Sequence, residues 1–135
     1  MDWQNEHRVG IHELDDQHKA VIACLSDIEQ AVARRETATV IQGLLGQLLN
    51  MAELHFTVEE SLMRIHEYAR LEEHIDHHRT FSAHVKALRE RSLTAGLSLN
   101  SIHFMREWWA AHIQKEDKAY ALHFLKRTAL ADPLT

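Results

Sequence analysis

Apolar residues recur at alternating spacings of three and four along four stretches of the chain, the pattern of helices with one buried face. The first, about 12–34, carries Leu14, Val21, Leu25, Ile28 and Val32. The second, about 39–66, carries Ile41, Leu44, Leu48, Met51, Leu62 and Ile65, and Thr39 with Gln42 reads as a capping box at its start. The third, about 70–93, carries Leu71, Ile75, Phe81, Val85 and Leu88; the fourth, about 99–127, carries Ile102, Met105, Trp109, Ile113, Tyr120 and Phe124. Arg34-Arg35-Glu36-Thr37 breaks the first run, while Gly96 and Ser98 read as a stop and an N-cap before the fourth. Long runs joined by short connections predict an all-α, antiparallel up-down-up-down four-helix bundle. An irregular N-terminal arm of about 11 residues, anchored by Trp3 and carrying Val9 and Ile11, precedes it.

Polar residues interrupt these stripes in a consistent way. His18 fills a gap between Leu14 and Val21. His55 and Glu59 interrupt the second stripe, His74 and His78 lie between Leu71 and Phe81, and His112 and Asp117 fall between Trp109 and Tyr120. Every predicted helix therefore sets an imidazole or a carboxylate where a core residue belongs. Burying such groups without partners costs several kcal/mol each, and the partner that all seven can share is metal. The pairs His55/Glu59 and His74/His78 have the four-residue spacing that puts both members on one helix face. Asp117 follows His112 by five, which on a regular helix turns it well to one side and suits a carboxylate reaching across to bridge. His77 competes with His78, since it also pairs with His74 along a helix; the stripe 71–74–78–81 favours His78. All seven fall towards one end of the bundle.

Five imidazoles and two carboxylates are too many for one tetrahedral zinc. They match two ions sharing both carboxylates, and a nitrogen-rich set without thiolate suits iron, with manganese, cobalt or zinc permitted on affinity alone. Two six-coordinate ions held this way leave room for a bridging oxygen and one vacant position. Phe56, Trp108, Trp109 and Ile113 are expected to wall that position, which suits dioxygen binding.

Composition narrows the alternatives. One domain spanning 1–135 is expected from 135 residues without repeat or linker. One proline, Pro133 in a C-terminal tail, and four glycines are too few for a many-stranded sheet protein. Gly43 and Gly46, inside the second stripe, read as places of close helix packing. The formal net charge of −5 gives no footing for nucleic acid. No basic leader opens the chain and no apolar run approaches a membrane span, so no membrane insertion is expected. A single cysteine, Cys24, excludes an internal disulfide and reads as a small buried hydrophobe in a cytoplasmic protein. Twelve histidines are far more than such a protein needs for packing. His7, His12, His66, His77, His84, His103 and His123 read as solvated or locally bonded, and Glu60 as a carboxylate outside the ligand set.

The segments Val9-Gly10-Ile11 with Leu14-Asp15-Asp16-Gln17-His18, His55-Phe56-Thr57-Val58-Glu59-Glu60 with Met63, His74-x3-His78-x2-Phe81, and Trp108-x3-His112-Ile113-x3-Asp117-x2-Tyr120 together resemble the haemerythrin family in its single-domain bacterial form. They span residues 9–120 in the family's order. The resemblance implies two iron ions (Fe2+/Fe3+) with a bridging oxo or hydroxo group. It implies that His74, His78 and His112 bind one iron, His18 and His55 the other, which keeps the open position, and that Glu59 and Asp117 bridge. It further implies reversible dioxygen binding, with carriage, storage or delivery as the role and no catalysis; an oxygen-consuming enzyme is the expected recipient and a monomer the expected state. An oxygen or redox sensor module, or a di-iron enzyme acting on peroxide or nitric oxide, is the alternative. The sequence departs from the family at Ala69, where a proline is usual after the tyrosine, and at Trp109, where leucine is common beside the dioxygen pocket. The bulkier indole is expected to alter ligand kinetics.

Overall fold

The computed structural model describes residue 3, residues 7–94 and residues 96–131. Pro133 and part of the predicted arm lie outside the described residues. Helix α1 runs His12–Ala33, α2 Ala38–Ile65, α3 Leu71–Arg91 and α4 Leu99–His112; a π-helical turn, Ile113–Asp117, joins α4 to α5, Lys118–Ala131, so that α4, the turn and α5 form one rod. No strand occurs among the described residues. The main packings run α1 on α2, α2 on α3, α3 on α4 and α4 back on α1, which closes four rods into an antiparallel bundle.

Local chemistry sets the ends of these rods. The α1–α2 connection turns on Arg35 at φ +56°, with the Glu36 amide donating to the Ala31 carbonyl at 3.0 Å. The α2–α3 connection repeats the device: Glu67 sits at φ +53° and the Tyr68 amide donates to the Met63 carbonyl at 2.9 Å. Both are Schellman-type ends built without glycine. At the start of α2 the cap is Thr37, whose hydroxyl accepts from the Val40 amide, not the Thr39–Gln42 pair expected. Ser98 caps α4 as expected, accepting from the Ser101 amide. Helix α1 has no side-chain cap of its own. Instead the buried Asp15 carboxylate accepts from the Val9 amide at 2.8 Å and the Gly10 amide at 3.3 Å, tying the arm to the first turn. Gly10 takes φ +91°, a conformation that side chains disfavour.

The core follows the predicted stripes in α1, α3 and α4. In α2 it is rotated: Leu45, Leu48, Leu49, Ala52, Phe56 and Met63 are buried, Leu44, Met51 and Leu62 are half-buried, and Ile65 is 70% exposed. Leu44 to Ala52 is apolar nearly all round, so periodicity alone leaves the inward face undecided. Gly46 does mark a close approach, by the Arg89 guanidinium; Gly43 has nothing near it. Cys24 is buried, and burial pushes its thiol up to about 11. His7, expected to be solvated or locally bonded, is buried beside Trp3, their rings 5.4 Å apart.

Candidate metal centre

All seven predicted donors are buried, four of them fully: His18, His55, Glu59 and Asp117. They come from all four rods and fall into two overlapping sets, Glu59–His74–His78–His112–Asp117 and His18–His55–Glu59–Asp117, within each of which the donor atoms lie within 4.8 Å of one another. The two carboxylates are common to both. In Glu59 the Oε1 oxygen faces the first set, 2.5 Å from His74 Nε2 and 3.1 Å from His78 Nε2, while Oε2 faces His55 Nε2 at 3.4 Å. In Asp117 the Oδ1 oxygen is 2.9 Å from both His74 Nε2 and His112 Nε2, and Oδ2 is 2.8 Å from His18 Nε2. Each carboxylate thus turns one oxygen to each set, the disposition of a bridge.

Asp117 reaches this position by a route the regular-helix spacing does not give. Its five-residue offset from His112 coincides with the π-helical turn Ile113–Asp117. The wider turn brings the two side chains closer to one face, and Asp117 Oδ1 lies 2.9 Å from His112 Nε2. Single π-turns of this kind concentrate at functional sites.

The arrangement does not satisfy itself without a cation. His18 Nε2 and His55 Nε2 face each other at 3.1 Å. Glu59 Oε2, Asp117 Oδ2 and His112 Nε2 are buried without a hydrogen bond of good geometry. Burial favours neutral imidazoles, yet the two carboxylates outweigh it and lift His55 to about 9 and His74 to about 10. Burial opposes ionisation of Glu59 and Asp117, joined for Glu59 by the neighbouring Asp117 carboxylate, but the imidazoles hold both below the usual carboxylate range. His78, dominated by burial, moves down. Two ionised carboxylates facing five imidazole nitrogens in a dry interior form a site for positive charge.

Outer partners orient the imidazoles. His55 Nδ1 donates to Gln17 Oε1 at 2.7 Å and His78 Nδ1 donates to Glu60 Oε2 at 2.7 Å, which leaves each Nε2 with its lone pair turned inward. Glu60 lies outside the ligand set, as expected. Gln17 interrupts no apolar stripe; its signals in the sequence are its place immediately before His18 and within the Leu14–His18 segment of the family resemblance. The four expected pocket residues divide. Trp109 is fully buried and sits edge-on to His18 and His55 at 5.9 and 5.7 Å. Phe56 stacks on His78 at 4.0 Å and Trp108 on His112 at 4.7 Å, so these two rings lie against the five-donor set. Ile113 is buried in the π-turn. His77 is outside the cluster, grouped at the surface with Glu116 and with Glu73, whose carboxylate already accepts two hydrogen bonds from Arg70.

Residues 9–122 match the family model described as "Hemerythrin HHE cation binding domain". This chain belongs to the haemerythrin family. Among similar proteins, the myohemerythrin of Theromyzon tessulatum is 29% identical over 118 residues, covering 87% of this chain and 88% of that protein. The bacteriohemerythrin of Pseudomonas aeruginosa (strain LESB58) is 26% identical over 121 residues, covering 87% and 77%. A crystal structure of wild-type hemerythrin superposes with a TM-score of 0.85 at 24% identity, covering 92% of this chain and 97% of the other, and so shares the haemerythrin bundle.

Proposed function

We propose that this member of the haemerythrin family is a non-haem di-iron protein that binds dioxygen reversibly. The observation that carries the reading is the pair of donor sets sharing Glu59 and Asp117, each carboxylate giving one oxygen to either side. His74, His78 and His112 would hold one iron and His18 and His55 the other, with the two carboxylates spanning both. A pair of ferrous ions so held would supply the reversible two-electron chemistry that dioxygen binding requires.

The protein's own contribution is positional. Glu60 and Gln17 fix the tautomers of His78 and His55, so their Nε2 atoms stay available to metal. The π-turn places Asp117 in reach of three imidazoles from three rods. Trp109, Phe56, Phe81 and Met105 exclude bulk water from the interior around the centre.

Carriage, storage or delivery of oxygen is favoured over catalysis by the donor set itself. Di-iron oxidases and oxygenases use carboxylate-rich sites with paired Glu-x-x-His motifs, and no glutamate in this chain has a histidine three residues on. Five imidazoles against two carboxylates favour holding dioxygen over breaking its bond. No helix among the described residues is long and apolar enough to cross a membrane. With its one buried cysteine, the protein is read as a cytoplasmic monomer that delivers oxygen to an oxygen-consuming enzyme.

Purified iron-loaded protein, reduced without air and then aerated, tests the reading. Visible and near-ultraviolet charge-transfer bands should appear on aeration and fade on deoxygenation over repeated cycles. Irreversible bleaching, or no band at all, would overturn it.

A further inference from the structure

Trp109 is fully buried, yet its indole Nε1–H has no hydrogen-bond partner among the described residues. Buried donors without acceptors are costly and few in native proteins, so the missing acceptor needs a source. The ring packs against Phe81 at 5.3 Å, Phe56 at 5.8 Å and Trp108 at 6.3 Å, none of which offers an acceptor. Its histidine neighbours are His18 and His55, both edge-to-face and the nearer, and His112, tilted at 6.5 Å. None of them is hydrogen-bonded to the indole. The Nε2 atoms of His18 and His55 face the shared carboxylates, His55 Nδ1 is engaged with Gln17, and His18 Nδ1 is itself buried without a partner. These two imidazoles are the only histidines of the smaller donor set, the half with one protein donor fewer.

We propose that the Trp109 N–H donates a hydrogen bond to the outer atom of a small ligand held on the His18–His55 side. The pocket then selects ligands that carry negative charge on that atom, with small linear anions such as azide as the accessible representatives. This rests on the two-iron reading above. It also gives the bulky indole a positive role: besides filling space against His18 and His55, it supplies a directed donor. A purely steric tryptophan would weaken ligand binding, whereas a donating one strengthens it for charged ligands.

The test uses oxidised, iron-loaded protein whose iron content is measured first. Azide is titrated into wild type, Trp109→Phe and Trp109→Leu, and the antisymmetric azide stretch is recorded in H2O and D2O. Loss of a hydrogen bond to a charged acceptor should weaken azide binding roughly tenfold in both variants. The wild-type stretch should shift in D2O, and Trp109→Phe should abolish that shift. Unchanged or tighter azide binding in variants that retain two irons would overturn the proposal while leaving the metal centre standing. An isotope-insensitive stretch in the wild type would overturn it without any variant. Fewer than two irons in the wild type would instead remove the two-iron reading, and this inference with it.

Discussion

The two halves of the metal centre share two carboxylates and differ in almost everything else. The five-donor half has three imidazoles, with Phe56 stacked on His78, Trp108 stacked on His112, and Glu60 behind His78. Its ligands are braced from outside by flat rings and a carboxylate. The four-donor half has two imidazoles, one neutral brace in Gln17, and the buried edge of Trp109. Five donors with rigid bracing suit an ion that is held; four donors beside an unpaired N–H suit an ion that takes a guest. On the two-iron reading, this difference would let one protein hold its metal and still exchange a ligand.

The largest effect is expected where the halves meet. Glu59→Ala removes an oxygen from each set and should reduce bound iron from two per chain to less than one, read by metal analysis of the purified variant. Retention of two irons would break the bridge assignment. The halves should then separate in a paired comparison: His18→Ala should keep the ion of the five-donor half and lose the other, giving about one iron per chain. His112→Ala leaves two four-donor halves and no five-donor one, and should give less than His18→Ala. Equal iron contents in these two variants would erase the distinction between the halves.

A smaller effect is expected from the braces. Glu60→Ala and Gln17→Ala should each weaken iron binding roughly tenfold, measured by competition with a chelator. Glu60→Ala should weaken the first ion to bind and Gln17→Ala the second. Acidity separates metal-free from loaded protein. In the metal-free chain His55 and His74 titrate near 9 and 10, above the ordinary 6.5. Their protonated forms therefore contribute stability that is fully present below pH 6.5 and lost as pH rises through 9 to 10. Thermal melts of chelator-treated protein should fall over that range. Iron affinity should rise over the same range, because imidazoles must be neutral to ligate. A flat or rising melting temperature in the metal-free protein would contradict the charge balance described for the centre. The smallest effect is kinetic: Trp109→Leu should release oxygen roughly fivefold faster by stopped flow, and indistinguishable rates would leave the indole no part in ligand exchange.

The histidines and carboxylates of the centre are legible in the sequence because each interrupts an apolar stripe, and a polar group in a stripe must find a partner. The bundle is legible for the same reason, from spacings that close into one face per helix. What the pattern leaves open is decided by packing. Leu44 to Ala52 is apolar on nearly every face, so only contact with α1 and α3 selects Leu45, Leu48 and Leu49 as the buried ones. The π-turn at Ile113–Asp117 leaves no mark in the sequence beyond a five-residue gap, which a regular helix would read as a sideways offset. Phe56 follows His55 and Trp108 precedes His112 by four, but only the fold shows that they stack on His78 and His112 of the fuller half. Gln17 lies beside a ligand in the chain yet serves a different one, His55, across the bundle.

The most direct test of two ions joined by shared carboxylates is the low-temperature Mössbauer spectrum of the oxidised protein loaded with isotopically enriched iron. Bridged ferric ions couple antiferromagnetically, so the account predicts quadrupole doublets without magnetic splitting for all of the iron. A magnetically split spectrum of isolated ferric ions, in protein that retains its fold, would contradict it.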